Sequence, residues 1–154
     1  MHSFSEIGIN PIFWGTVLAW TITQTIKVCL GIIRTKKFDF RWFVNTGGMP
    51  SAHTAGVVCL AVSIGLRLGF DSPVFAVTAV FTMITMFDAQ GVRRAAGHQA
   101  GLLNKMLDDI YAGQRISEER LKELLGHTPL QVLVGAALGA LLAIIFNLYI
   151  WPQA

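Results

Sequence analysis

Charge is scarce in this sequence. Asp, Glu, Lys and Arg make up 14% of its 154 residues, against roughly a quarter in an ordinary soluble domain. The shortage excludes intrinsic disorder and a long basic nucleic-acid-binding tail, so no nucleic-acid partner is expected. Cysteine is nearly absent. Cys29 and Cys59 both lie in apolar stretches and read as small buried hydrophobes, not as a disulfide framework or a metal site. There is no GxxxxGK[ST] loop, no HExxH and no carboxylate cluster, which removes the usual nucleotide and metal signatures. Cys29 and Arg34 stand one residue too close for a thiol phosphatase loop. No Lys or Arg precedes Pro11 and no small-residue cleavage site follows the first apolar run, so a signal peptide is not expected. No cofactor and no metal are expected, and any chemistry falls to histidine, arginine and lysine.

What is present is apolar length. Hydrophobic residues make up 53% of the chain, and its mean hydropathy is +0.56. A membrane-spanning helix takes roughly 17–25 mostly apolar residues. Four runs qualify or come close: residues 11–33, 52–68, 73–88 and 129–151. The second and third are short enough to be buried-core helices instead. Trp14, Trp20, Tyr149 and Trp151 lie near the ends of the first and last runs, as interface aromatics do. The expected fold is an all-α integral membrane protein of one domain, residues 1–154, in the cell membrane. It has about four transmembrane helices plus short interfacial helices in the long connection.

The basic residues are distributed unevenly. If all four runs cross, residues 34–51 and 89–127 share one side. Arg34, Lys36, Lys37, Arg41, Arg93, Arg94, Lys105, Arg115, Arg120 and Lys122 all fall there. Arg67 alone falls on the other side, and Lys27 lies inside a span. The positive-inside rule places the richer side in the cytoplasm and both termini outside. Within the long connection, residues 98–113 carry Leu102, Leu103, Met106, Ile110 and Tyr111 at helical spacing. Ser117 is placed to cap a second helix over 118–125. Both helices are expected along the membrane surface or against the other loop.

Four constellations concentrate chemistry on the basic side. In GGMPSAHT, two glycines and a proline lead to Ser51 and His53 at a helix start, where free N–H groups and the positive dipole end suit an oxyanion. The bland alternative is that Ser51 only caps the helix. In DAQGVRRAAGHQA, Asp88 ends an apolar run, where a carboxylate is costly unless paired or solvated. Arg93 and Arg94 follow with guanidinium forks that match phosphate oxygens; the alternative is contact with lipid headgroups. In GHTPLQVLVGAALG, His127 precedes the cap Thr128 and Pro129. The positive end of a helix favours neutral imidazole, the nucleophilic form. Lys27 and Arg34, spaced by about two helical turns, can point the same way. Snorkelling accounts for Arg34 more readily than for the deeper Lys27.

K-x6-R, then P-S-x-H, then G-H-x-P-x-x-V-L-x-G resembles the type 2 phosphatidic acid phosphatase superfamily, which also holds the vanadium-dependent haloperoxidases. GGMPSAHTA, DAQGVRRAAGHQA and GHTPLQVLVGAALG are most similar to its small divergent bacterial and plastid branch. The resemblance runs from Gln24 to Gly139 and implies metal-independent phosphoryl transfer through a phosphohistidine. Lys27 and Arg34 then match phosphate-binding cations, with Thr35 where a proline is usual. Ser51 matches a phosphate-holding serine, and His53 the general acid, with Ala52 where glycine is usual. His127 matches the nucleophile. The family's third-motif arginine falls on Leu121, between Arg120 and Lys122; Arg93 or Arg94 from the neighbouring loop is expected to replace it. The aspartate that orients the nucleophile falls on Gln131, and Asp88 is the candidate for its charge.

The reading is therefore a phosphoric monoester hydrolase facing the cytoplasm. Its substrate would be a lipid phosphate drawn from the bilayer: phosphatidylglycerol phosphate, phosphatidate or polyprenyl diphosphate. The rival is a non-catalytic membrane protein that binds phosphate headgroups or assists lipid transport or assembly. A homo-oligomer is compatible with the limited surface that four short spans bury.

Overall fold

A computed structural model describes residues 4–36, 49–110 and 128–152, and the described residues contain helices and turns only. A 3-10 helix, Phe4–Ile9, leads into α1 (Pro11–Thr35). It is followed by α2 (Ala52–Leu68), α3 (Pro73–Gln90), α4 (Val92–Ile110) and α5 (Pro129–Ile145). The chain beyond α5 winds as one π-helical turn, Phe146–Ile150.

Local sequence sets these starts. Asn10, Ser51, Ser72 and Thr128 each accept a hydrogen bond at their side-chain oxygen from the backbone N–H three residues on, which satisfies a donor the helix leaves free. Pro11, Pro73 and Pro129 occupy first-turn positions, where the missing N–H costs nothing. Helix α3 ends at Gly91, whose N–H bonds to Phe87 O at 2.8 Å. Helix α4 begins at the next residue. The segment expected as a loop carrying Arg93 and Arg94 is thus the end of one helix and the first turn of another. The expected helix over 118–125 lies outside the described residues.

Helix α2 is the hub and packs against α1, α3 and α5. Its contact with α5 is backbone-close. A Cβ built on Gly135 would stand 2.6 Å from Ser51 O, and one on Gly139 would strike the backbone of Ala55. Further along, Asn147 Nδ2 donates to Ser63 Oγ at 3.0 Å. Contacts that advance along both helices together make α2 and α5 parallel. Helix α1 runs the opposite way: Cys59 Sγ donates to Gly15 O at 3.7 Å, while Gly56 meets Trp20. Helix α3 also returns antiparallel, after the tight turn at Gly69–Ser72, and Thr82 Oγ1 donates to Val57 O at 3.1 Å. One end of the bundle therefore collects the C-termini of α1 and α3 and the N-termini of α2, α4 and α5.

The interior is built mostly from small side chains, with Ile64, Leu142 and Phe146 as its larger apolar members. The largest that are fully buried are Val132, Thr23, Thr54, Cys59, Ser51 and Ser63. Large apolar groups face outward, among them Phe81, Ile84, Phe87, Leu133 and Leu141. Water would drive the opposite arrangement; small residues inside and bulky ones outside suit a lipid solvent. Among the described residues, Pro11–Thr35, Pro73–Gln90 and Pro129–Ile150 are long and apolar enough to cross a membrane. Helix α2 has 17 residues and reaches about 26 Å, slightly under a hydrocarbon core of about 30 Å.

The α2–α5 crossing makes a direct prediction. Gly135→Ala must push the helices apart, because the obstructing atom is a backbone carbonyl that has no rotamer to change. It is expected to lower stability by about 1–3 kcal/mol, read as an earlier thermal transition in detergent micelles. Ala137→Leu, on the exposed side of α5, is expected to leave the transition in place. Equal behaviour of the two variants would refute the close crossing.

Candidate functional site

The candidate site lies at the end where α2 and α5 begin. Ser51 caps α2: its Oγ accepts from Thr54 N at 3.4 Å and from Thr54 Oγ1 at 3.0 Å. Its backbone N–H donates across the crossing to Gln131 O at 3.3 Å. That bond, with Gly135 beneath it, holds the two helix starts side by side. Ser51 is fully buried, and its hydroxyl keeps one hydrogen to donate.

At the neighbouring start, Thr128 and Gln131 form a reciprocal cap. Thr128 N donates to Gln131 Oε1 at 3.0 Å, and Gln131 N donates to Thr128 Oγ1 at 3.4 Å. The side chain at the position where the resemblance implies an orienting aspartate is thus occupied in closing the helix start. The Thr-x-x-Gln spacing is the sequence signal for this box, and the expectation that Thr128 caps captured half of it. His127 itself lies outside the described residues, one peptide bond before Thr128.

Helix α1 brings the cations. It runs unbroken through Arg34 to Thr35, and Lys36 closes it in the left-handed region with φ 53°. A proline at 35 would disfavour helical geometry at Arg34; threonine permits it. Lys27 and Arg34 consequently share one face, about 10 Å apart along the axis. Lys27 is half-buried and takes part in an interaction within the protein, while Arg34 is exposed in the last turn.

The other expected residues are distributed around the same end. His53 is exposed and also engaged within the protein. It stands two residues from both Ser51 and Ala55, the α5-facing positions. At about 100° per residue its side chain leaves α2 on the side away from α5. Asp88 lies in the last turn of α3, beside the buried Ala89, partly buried and engaged. Arg93 and Arg94 occupy the first turn of α4. The bundle therefore gathers Lys27, Arg34, Ser51, His53 and Asp88, with the backbone of Arg93 and Arg94, at one end. It does not point Ser51 and His53 in one direction. Among the described residues no group of His, Cys, Asp or Glu is arranged to hold a metal ion.

Comparison with known proteins places the chain in a family. The Divergent PAP2 family matches residues 9–142. The chain belongs to that family. A relative from Bacillus subtilis (strain 168), the uncharacterized membrane protein YuiD, is 41% identical over 151 residues, covering 91% of this chain and 96% of that protein. No solved structure matches the chain. In this member of the Divergent PAP2 family the matched stretch contains α1 through most of α5, so the family likeness extends across the whole hub and not only the motifs. The protein is an integral membrane protein, in keeping with its apolar helices and its membrane-protein relative.

The reciprocal cap gives a separable test. Gln131→Leu removes the acceptor for Thr128 N–H and is expected to cost about 1 kcal/mol, lowering the thermal transition. Gln131→Glu keeps a carbonyl-type acceptor at the same reach and is expected to retain most of the stability. If both variants melt alike, the side-chain half of the cap contributes nothing.

Proposed function

We propose that this Divergent PAP2 family member is a metal-independent lipid phosphatase with four membrane spans, α1, α2, α3 and α5, and its site on the cytoplasmic side. The observation that carries the reading is the Ser51 N–H to Gln131 O bond. It ties the P-S-x-H start of α2 to the start of α5, so two motifs eighty residues apart in sequence share one end with the cations of α1.

In the proposed reaction Lys27, Arg34 and one or both of Arg93 and Arg94 neutralise the phosphate oxygens, whose charge spreads in the transition state. A ring nitrogen of His127 attacks phosphorus in line. The N–P bond forms, the P–O bond to the lipid breaks, and His53 gives its proton to the departing oxygen. Water then attacks the phosphohistidine and loses a proton to His53, releasing inorganic phosphate and free His127. Asp88 supplies negative charge near the imidazoles in place of the aspartate replaced by Gln131. The lipid class is a phosphate monoester or diphosphate, such as phosphatidylglycerol phosphate, phosphatidate or polyprenyl diphosphate.

A second reading has specific support. Ser51 is fully buried, Gln131 is occupied by the cap, and His53 leaves α2 away from α5. These favour a protein that holds phosphate headgroups without turning them over, in lipid transport or assembly. Purified protein incubated with short-chain lipid phosphates in EDTA separates the two. Release of inorganic phosphate by wild type, abolished in His127→Ala and reduced at least a hundredfold in His53→Ala, is the expected result. Headgroup binding with no release by wild type would establish the second reading. Full activity of His127→Ala would end the proposed mechanism.

A further inference from the structure

Helix α4 buries the wrong face for a helix in water. Gly97 and Asn104 are buried, with Gly101 between them partly covered. At about 100° per residue these three lie within one narrow stripe. Asn104 also has a partner within the protein. On the opposite side Leu102, Leu103, Met106 and Ile110 are exposed, at 60%, 49%, 57% and 73%. A helix docked on a protein in an aqueous loop would bury its leucines and leave the asparagine wet. Here glycine and asparagine face the protein and the bulky apolar stripe faces out.

We infer that α4 is an in-plane membrane helix whose Leu102, Leu103, Met106 and Ile110 are buried in the acyl-chain boundary of the leaflet at the candidate-site end. Three observations commit the stripe to lipid. Helix α4 starts one residue after α3, a helix long and apolar enough to cross the bilayer, so its first turn begins at the membrane surface. On α3, Ile84 and Phe87 are exposed close to that junction, so the lipid-facing side of α3 reaches the level at which α4 begins. The exposed Lys105 on α4 suits an anionic headgroup layer. It lies between the buried and the apolar stripes, where a side chain of an in-plane helix reaches water and headgroups. The same inside-out rule governs the spanning helices, where small residues face the protein and large ones the lipid.

This assignment rests on the membrane location and not on the phosphatase reading; a protein that releases no phosphate still tests it. The experiment uses wild-type protein in phosphatidylglycerol–phosphatidylcholine vesicles. The vesicles contain a phosphatidylcholine with a diazirine near the glycerol end of one acyl chain. After irradiation, lipid adducts are mapped by peptide mass spectrometry. Adducts on Leu102, Leu103, Met106 or Ile110, at a yield within about threefold of that on the interfacial turn of α3, are the expected result. Adducts on α3 with none on α4 would overturn the proposal. Leu103→Cys and Met106→Cys, tested for disulfide formation between chains in the same vesicles, identify the alternative occupant. Efficient cross-linking there, together with loss of the α4 adducts, would assign the stripe to a second copy of the chain and refute the lipid assignment. Adducts that persist without cross-linking uphold it.

Discussion

The structure depends on how closely α5 lies upon α2. Glycine at 135 and 139 lets the α5 backbone approach the backbone of Ser51 and Ala55, a distance that a methyl group at either position would forbid. Lipid solvates apolar side chains as well as another helix does, so association within a bilayer leans on such close van der Waals contact and on interhelical hydrogen bonds. The crossing supplies both, since the Ser51 N–H to Gln131 O bond lies at its edge. It also has an electrostatic consequence. Two parallel helices start side by side, and each brings roughly half a positive charge to its N-terminus. That juxtaposition is unfavourable in itself. Packing holds it in place, and the pair of starts is left as a positive end that an anion would relieve.

The same solvent logic orders the rest of the molecule. Interior positions go mostly to Gly, Ala, Ser, Thr and Cys, and most of the large apolar residues, Phe81, Ile84, Phe87 and Leu133 among them, lie on the outer surface. Threonines in α1 and α3 keep their hydroxyls bonded to carbonyls one turn back, as at Thr23, Thr78 and Thr82. A hydroxyl satisfied in this way can face a neighbouring helix without leaving an unpaired donor in an apolar medium. Helix α2 can be short because its neighbours cover it; the lipid-facing length is carried by α1, α3 and α5.

Much of the helix framework was legible in the sequence because it is written locally. Apolar length, Pro in the first turn and Ser, Thr or Asn just before it mark starts that involve no distant residue. The Asp88–Ala100 stretch was harder. An acidic residue, a glycine and two arginines look like a connection, yet the glycine only ends α3 and the charged residues sit in helical turns on either side. Which helices touch was not legible. The glycines of α5 could have been noticed at their four-residue spacing, but nothing local says that their partner is the α2 stripe of Ser51 and Ala55. The candidate site divides in the same way. Residue types and order pointed to Lys27, Arg34, Ser51, His53 and His127. The direction in which each side chain leaves its helix depends on the rotation of α2, which is set by packing against three neighbours at once.

That rotation is fixed from the far end. A stripe of small residues alone allows two helices to slide by a turn, since glycine and alanine offer little to distinguish one register from the next. The α2–α5 pair ends instead in polar groups with several specific partners each. Asn147 donates to Ser63 Oγ and to Ala143 O, and it accepts from Arg67 Nε, while the Arg67 guanidinium also donates to Trp151 O. A slip by one turn would strand Asn147 and Arg67 in an apolar setting, where an unsatisfied polar group is costly. The same interval separates Ser51 from Ser63 and Gly135 from Asn147, so the register chosen by the polar latch is the register that seats Ser51 on Gly135. The geometry at the candidate site is therefore set as much by Arg67 and Asn147, at the opposite end of the bundle, as by the residues that line it.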